Sequence, residues 1–113
     1  MLNGETAQLL RIHITEGRTF EGKPLHEAIL AKCREQGIAG ATVFRGLEGF
    51  GETAEVHRHR ALHSDQPLVI VVVDEPARLA RLIPEVESIM HSGLIAISDV
   101  TARRVTRSIA PEA

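Results

Sequence analysis

Six consecutive aliphatic residues, from position 68 to position 73, constrain the fold of this chain more than any other segment. The run is far shorter than the roughly 18 apolar residues of a membrane helix. It consists mainly of valine and isoleucine, which favour strands. Because it does not alternate with polar residues, the run predicts a central strand that is covered on one face and packed on the other.

Three further segments have strand character. Residues 10–15 alternate apolar and polar side chains, as a half-buried strand does. Residues 40–45 are rich in β-branched and aromatic side chains, and residues 94–100 are predicted as the last strand, before the C-terminal tail. Together with residues 68–73, these segments predict four strands.

Two segments between the strands have helical periodicity. Pro24 suits the first turn of a helix, and Gly37 is the kind of residue that follows a helix end. The second helix is predicted to begin at residues 74–76 and to end at Gly93, and Pro84 within it predicts a kink. The apolar stripes of the two helices are Leu25, Ala28, Ile29 and Cys33, and Leu79, Leu82, Ile83, Val86, Ile89 and Met90.

The element order is therefore β-α-β-β-α-β. With right-handed crossovers, this order predicts an α+β ferredoxin-like sandwich, in which two helices cover one face of a four-stranded antiparallel sheet. Residues 1–113 are expected to form one such domain. The other face of the sheet would be bare in a monomer, so we predict an oligomer.

Composition excludes several classes of protein. The chain has a formal net charge of −2 and neither Trp nor Tyr, which argues against a nucleic-acid-binding surface. One cysteine excludes an internal disulfide and fits a reducing compartment, so the expected location is the cytoplasm. We expect no required cofactor.

Residues 52–66 are polar and lack an apolar stripe, which predicts a long loop of the kind that often has a function. The glycine-rich turn before it contains Gly46, Gly49 and Gly51 around Phe50. Such a turn lets the backbone approach a ligand and presents amide donors to an anion. Alternatively, it marks a strand end with a bulge and positive φ angles.

No catalytic site can be recognised, and the chain is predicted not to be an enzyme. Cys33 lies on the apolar stripe of the first helix, as a buried structural cysteine does. His57, His59 and His63 cluster in the loop and offer an alternative metal site, although flanking arginines disfavour a cation and a solvated loop is the favoured interpretation.

The chain resembles the PII-like signalling proteins, and within them family 190 of the domains of unknown function. The shared motifs extend over most of the sequence. They are Gly4-Glu5, Gly22-Lys23-Pro24-Leu25-His26-Glu27-Ala28-Ile29, Gly37-Ile38-Ala39-Gly40-Ala41-Thr42-Val43, Arg45-Gly46, Gly49-Phe50-Gly51, Asp65-Gln66-Pro67-Leu68-Val69-Ile70 and Leu82-Ile83-Pro84.

This resemblance implies a homotrimer with ligand clefts between its subunits. An adenine nucleotide is the implied effector, and a membrane transporter or channel is the implied regulated partner. Carried onto this sequence, Thr42 and residues 49–51 (Gly49, Phe50 and Gly51) would line the base and sugar region of the cleft. One or more of Arg103, Arg104 and Arg107 would reach the phosphates beside a neighbouring subunit, although these arginines could equally be solvated.

The sequence departs from PII proteins where those proteins grip phosphate. The junction before the last strand reads Ser92-Gly93-Leu94-Ile95 in place of Gly-Asp-Gly-Lys, and no lysine follows Lys32. Each missing lysine contact would remove about 1.5–3 kcal/mol of binding to a phosphate. We therefore expect a monophosphate, a cyclic nucleotide or a diphosphate rather than a magnesium triphosphate.

Overall fold

The computed structural model of the chain describes residues 2–49 and 66–105, and the backbone alone of residues 57–58. In chain order its elements are β1 (Asn3–Thr15), β2 (Thr19–Phe20), β3 (Lys23–Pro24), α1 (Leu25–Glu35), β4 (Thr42–Arg45), β5 (Glu48–Gly49), β6 (His57–Arg58), β7 (Pro67–Asp74), α2 (Pro76–Glu87) and β8 (Leu94–Arg103). No helix within the described residues has the length and apolar content needed to cross a membrane.

The long strands form one antiparallel sheet in the order β4-β7-β1-β8. With α1 and α2 inserted between strands, this is the predicted ferredoxin-like arrangement. The run at residues 68–73 lies in β7, a central strand as expected. Two short hairpins, β2-β3 and β5-β6, are additions that the sequence pattern did not indicate as strands.

Alternate residues of the two central strands face the helices. Leu10 and Ile12 of β1 lie directly beside Val72 and Ile70 of β7, and all four are buried. They pack with the apolar stripes of the helices into one hydrophobic core, whose helical members are Leu25, Ile29, Cys33, Leu79, Leu82 and Val86. The odd-numbered residues of β1 therefore point to the opposite face.

Helix α1 begins and ends as predicted. Pro24 stands at its N-cap, where its missing N–H leaves no helical hydrogen bond unmade. Gly37 follows the helix with a φ of 75°, which glycine adopts without a steric cost. The amide of Ile38 then donates to the carbonyl of Cys33 over 2.9 Å and closes the last turn.

Three predicted boundaries are wrong. Strand β1 begins at Asn3 rather than at residue 10, and β8 continues to Arg103, because the ends of these two strands pair with each other beyond the rest of the sheet. Helix α2 ends at Glu87, before Gly93. Gly93 instead lies just before β8, where a β-carbon would be 2.6 Å from the carbonyl oxygen of His13.

Candidate functional site

The glycines that follow β4 pack against the start of β7. The amide of Gly46 donates to the carbonyl of Pro67 over 2.7 Å, and a β-carbon on Gly46 would lie 2.7 Å from Pro67 Cγ. A β-carbon on Gly49 would lie 3.4 Å from the same Cγ. Among the described residues, the glycines with positive φ are elsewhere in the chain, so close packing rather than left-handed backbone requires glycine at position 46.

Contacts with the sheet hold both ends of the segment predicted as a long loop, residues 52–66. On the β4 side, β5 pairs with β6, with Gly49 opposite His57. On the β7 side, the amide of Glu16 donates to the carbonyl of the buried Gln66 over 2.7 Å. An ion pair between Arg45 and Glu16 joins the end of β4 to the turn after β1. The two ends of this segment are therefore held side by side at one end of the sheet.

Thr42 lies on the sheet face that points away from α1 and α2, which we call the outer face. It pairs with Val71 of β7 and is exposed. Phe44, two residues further along β4, lies on the same face and is 56% exposed. Both side chains are open to a ligand or to a second chain. The predicted binding residues Phe50 and Gly51 lie outside the described residues.

The predicted phosphate-binding arginines lie at the far end of the edge strand β8. Arg103 is the last residue of this strand and pairs with Asn3, so it is part of the sheet rather than of a tail as predicted. Its guanidinium would lie 3.1 Å from a β-carbon on Gly4. The amide of Arg104 donates to the carbonyl of Leu2 over 2.8 Å. Arg107 lies outside the described residues.

Register shows that one subunit does not bring Thr42 and these arginines together. The row of paired residues that contains Thr42 ends on β8 at Ala96, and Arg103 is seven residues further along that strand. At about 3.3 Å per residue, the separation along the strand is about 23 Å. A ligand that contacts both Thr42 and Arg103 would need these residues from two different subunits.

A small cleft lies at the junction between α2 and β8. This junction corresponds to the Gly-Asp-Gly-Lys phosphate loop of the PII proteins that the sequence resembles. The volume of the cleft is about 360 Å³. It is lined by Glu87, Met90, His91, Ser92, Gly93 and Ile95. The lining has no lysine or arginine to attract a phosphate, which agrees with the departure noted in the sequence.

The remaining candidate residues do not form a chemical site within the described part of the chain. Cys33 is 3% exposed, and burial raises the pKa of its thiol to about 11, although a hydrogen bond with the backbone opposes this shift. At neutral pH it is a thiol rather than a nucleophilic thiolate. No group of three or more potential metal ligands occurs among the described residues. His59 and His63 lie outside them, as does the side chain of His57.

Arg11 is a residue of the outer face that the sequence did not mark as part of a site. Arg11 of β1 pairs with Val71, which in turn pairs with Thr42, so Arg11 and Thr42 share one row of the sheet. The alternation at residues 10–15 indicates that Arg11 faces away from the core. Its position relative to Thr42 depends on the pairing of β1, β7 and β4, which the pattern of a single strand does not contain.

Comparisons with known proteins agree with this architecture. The model of the DUF190 family, described as "Uncharacterized ACR", matches residues 7–102. A UPF0166 protein of Aquifex aeolicus is 40% identical over 95 residues, which cover 82% of this chain and 90% of that protein.

Two solved structures are similar in fold. The structure of CPII from Thiomonas intermedia K12, bound to ADP and bicarbonate, has a TM-score of 0.68 at 19% identity and covers 88% of this chain and 91% of that one. The periplasmic divalent cation tolerance protein CutA from Archaeoglobus fulgidus has a TM-score of 0.56 at 14% identity, covering 89% and 88% of the two chains.

Proposed function

The chain belongs to the DUF190 family, and we propose that it is a non-enzymatic regulatory protein of the PII type. In this proposal, a cytoplasmic homotrimer binds a small anionic ligand, an adenine nucleotide, in the clefts between its subunits. Binding changes the conformation of segment 52–66 and thereby its fit to a partner, for which a membrane transporter or channel is the proposed class.

The observation that carries the proposal is the attachment of that segment to the sheet. The chain leaves β4 through glycines that pack on Pro67 and returns to the sheet at Pro67 itself. The exposed Thr42 and Phe44 lie on the strand from which the segment departs. A ligand bound there would contact the base of the segment directly, and a difference in contacts is what a ligand needs in order to shift a conformational equilibrium.

The fold supports the choice of ligand. The similar CPII structure was determined with ADP and bicarbonate, both of which are anions. The present chain lacks lysine in the α2-β8 junction, which favours a nucleotide with one or two phosphates over a triphosphate. The bare outer face supports an oligomer, because apolar side chains such as Phe44 would be covered there by other subunits, and the resemblance to PII-like proteins makes a trimer the proposed form.

Equilibrium dialysis tests ligand binding directly. The chain contains neither Trp nor Tyr, so a nucleotide base can be measured by its absorbance with little protein background. We expect retention of AMP, cyclic AMP or ADP at micromolar concentration and weaker retention of magnesium ATP. Thr42→Val should weaken binding about 5- to 10-fold, as expected for one lost hydrogen bond. Thr19→Val, in the β2-β3 hairpin, serves as the matched control and should bind as the wild type does.

Two results would contradict the proposal. The first is no retention of any nucleotide at millimolar concentration. In that case, titration of the wild type and of a His57→Ala, His59→Ala variant with Zn(II) and Cu(II) would test the alternative CutA-like metal site. The second concerns signalling: amide exchange within residues 52–66 should change when the bound nucleotide is saturating. Unchanged exchange would leave a ligand-binding protein without the proposed switch.

A further inference from the structure

Where β1 pairs with β7, the outer face of the sheet contains one permanent positive charge in an otherwise apolar and neutral surface. In this part of the sheet, the described residues of the outer face are Leu9, Arg11, His13, Thr15, Thr42, Phe44, Pro67, Val69, Val71, Val73, Leu94, Ala96 and Ser98. None of them is acidic. Arg11 lies on β1, one of the two central strands, with Val71 on one side and Ala96 on the other.

Arg11 has no carboxylate partner among the described residues, and its side chain is exposed. Two other arginines form ion pairs, Arg45 with Glu16 and Arg78 with Glu75. An unpaired guanidinium is tolerated in water, but covering it without an anionic partner is costly. If other subunits cover this face in a trimer, an anion must accompany Arg11.

The register places Arg11 near the proposed ligand site. Thr42, Val71, Arg11 and Ala96 form one row across the sheet. Thr42 and Arg11 are two strands apart, or about 10 Å between their Cα atoms at about 4.8 Å per strand. Only the valine side chain stands between them on this face. The long side chain of Arg11 can therefore extend over Val71 toward a ligand beside Thr42.

The neighbouring row reinforces this arrangement. It contains Phe44, Val69, His13 and Leu94, in the same strand order. Phe44 offers an aromatic surface beside Thr42, and His13 offers a second nitrogen donor beside Arg11. The outer face thus has an apolar aromatic side on β4 and a nitrogen-rich centre on β1. A flat base can stack on an aromatic surface, and an oxyanion can accept hydrogen bonds from a guanidinium.

We infer that Arg11 binds the oxyanion of the ligand that occupies the outer face beside Thr42, with the planar guanidinium donating paired hydrogen bonds to it. The inference rests on the proposed function and adds a binding residue to its site. The oxyanion is either a phosphate of the nucleotide or a separate bicarbonate ion. Within one subunit, Arg11 performs the role for which Arg103 and Arg104 are too distant.

The test compares Arg11→Met with Arg81→Met, which removes the same charge from the exposed surface of α2. Sedimentation and circular dichroism first establish the assembly and fold of each variant. Dialysis is then carried out with ADP, with adenosine and with labelled bicarbonate. We expect Arg11→Met to lose about 10- to 100-fold in affinity for ADP and nothing for adenosine if the oxyanion is a phosphate. If the oxyanion is instead bicarbonate, Arg11→Met should lose bicarbonate binding selectively. Arg81→Met should bind all three ligands as the wild type does.

Several results would overturn the inference. Unchanged binding of both ADP and bicarbonate by a normally assembled Arg11→Met would do so. Loss of assembly with unchanged ligand binding would show that a carboxylate of another copy is the partner of Arg11.

If Arg11→Met does not fold, Arg11→Lys decides the question, because it keeps the charge but loses the planar fork. It should bind several-fold more weakly than the wild type, and equal binding would contradict the proposal. Failure of the wild type to bind ADP would instead contradict the proposed function. The role of Arg11 would then be tested by comparing bicarbonate binding by the wild type and by Arg11→Met.

Discussion

Glycine residues in this chain are required for different reasons at different positions. Gly37 has a left-handed backbone conformation after α1, whereas Gly46 leaves room for the Pro67 ring. Gly93 combines the two requirements, with a φ of 140° and a β-carbon position 2.6 Å from both His13 O and Met90 Cε. The sequence predicted glycine at a helix end in two places, and only Gly37 has that role. For Gly93 the determining contact comes from β1, which is distant in sequence.

The substitution Gly93→Ala should destabilise the fold by about 1–3 kcal/mol, because the added carbon overlaps a backbone oxygen that cannot move without disturbing β1. Urea unfolding monitored by circular dichroism measures the change. Gly40→Ala is the matched control, since nothing lies within 4 Å of its β-carbon position. That variant should unfold at the same urea concentration as the wild type or at a higher one. Equal stability of Gly93→Ala and Gly40→Ala would contradict this explanation.

Among the elements, the two helices are connected through a polar cluster at the end of β7. Asp74 is 5% exposed and accepts hydrogen bonds from the amides of Glu75, at 2.7 Å, and Ala39, at 3.4 Å. Arg78 of α2 lies 3.6 Å from the same carboxylate and donates to the carbonyl of Gly37 over 2.7 Å. The cluster therefore joins the chain after α1 to the start of α2. The sequence indicated only the helix-start signal at residues 74–76.

Replacing Asp74 with alanine should reduce the free energy of unfolding by about 1–3 kcal/mol, since two amides lose their acceptor and the Arg78 guanidinium loses its ion-pair partner. Chemical denaturation provides the measurement. Asp99→Ala is a suitable control, because Asp99 is exposed and accepts one hydrogen bond of 3.4 Å from Gln8. Its effect should remain within about 0.5 kcal/mol. If Asp74→Ala lowers the free energy of unfolding by no more than Asp99→Ala does, the cluster does not contribute to stability.

At the scale of the whole molecule, the two faces of the sheet differ in what covers them. One face is covered by α1 and α2 and carries the core. On the outer face, Val69, Val71 and Val73 of β7 are partly exposed, and Phe44 and Leu94 are largely so. Such a surface on a chain of 113 residues favours association with other copies. The proposed trimer and the proposed site share this surface, so assembly and ligand binding are expected to be linked.

A lysine at Val71 should disrupt the proposed trimer without unfolding the subunit. It places a second positive charge beside Arg11 in a surface that other subunits are proposed to cover. Sedimentation equilibrium should give about three chain masses for the wild type and one for Val71→Lys, with the same circular dichroism. Ala77→Lys, on the exposed surface of α2, should leave the assembly intact. A trimeric Val71→Lys, or a monomeric wild type, would contradict the proposed covering of this face.

The sequence by itself determined the order and type of the main elements, the apolar stripes and the boundaries of α1. These properties follow from local periodicity and from single residues such as Pro24 and Gly37, whose effects act over a few positions. Only the tertiary structure decided the strand register, the extension of β1 and β8, the contact of Gly93 with His13 and the row that joins Arg11 to Thr42. A strand's own pattern shows which side chains share a face but not which strand lies beside it. That choice depends on contacts between residues far apart in the chain, which form only as the sheet assembles on its core.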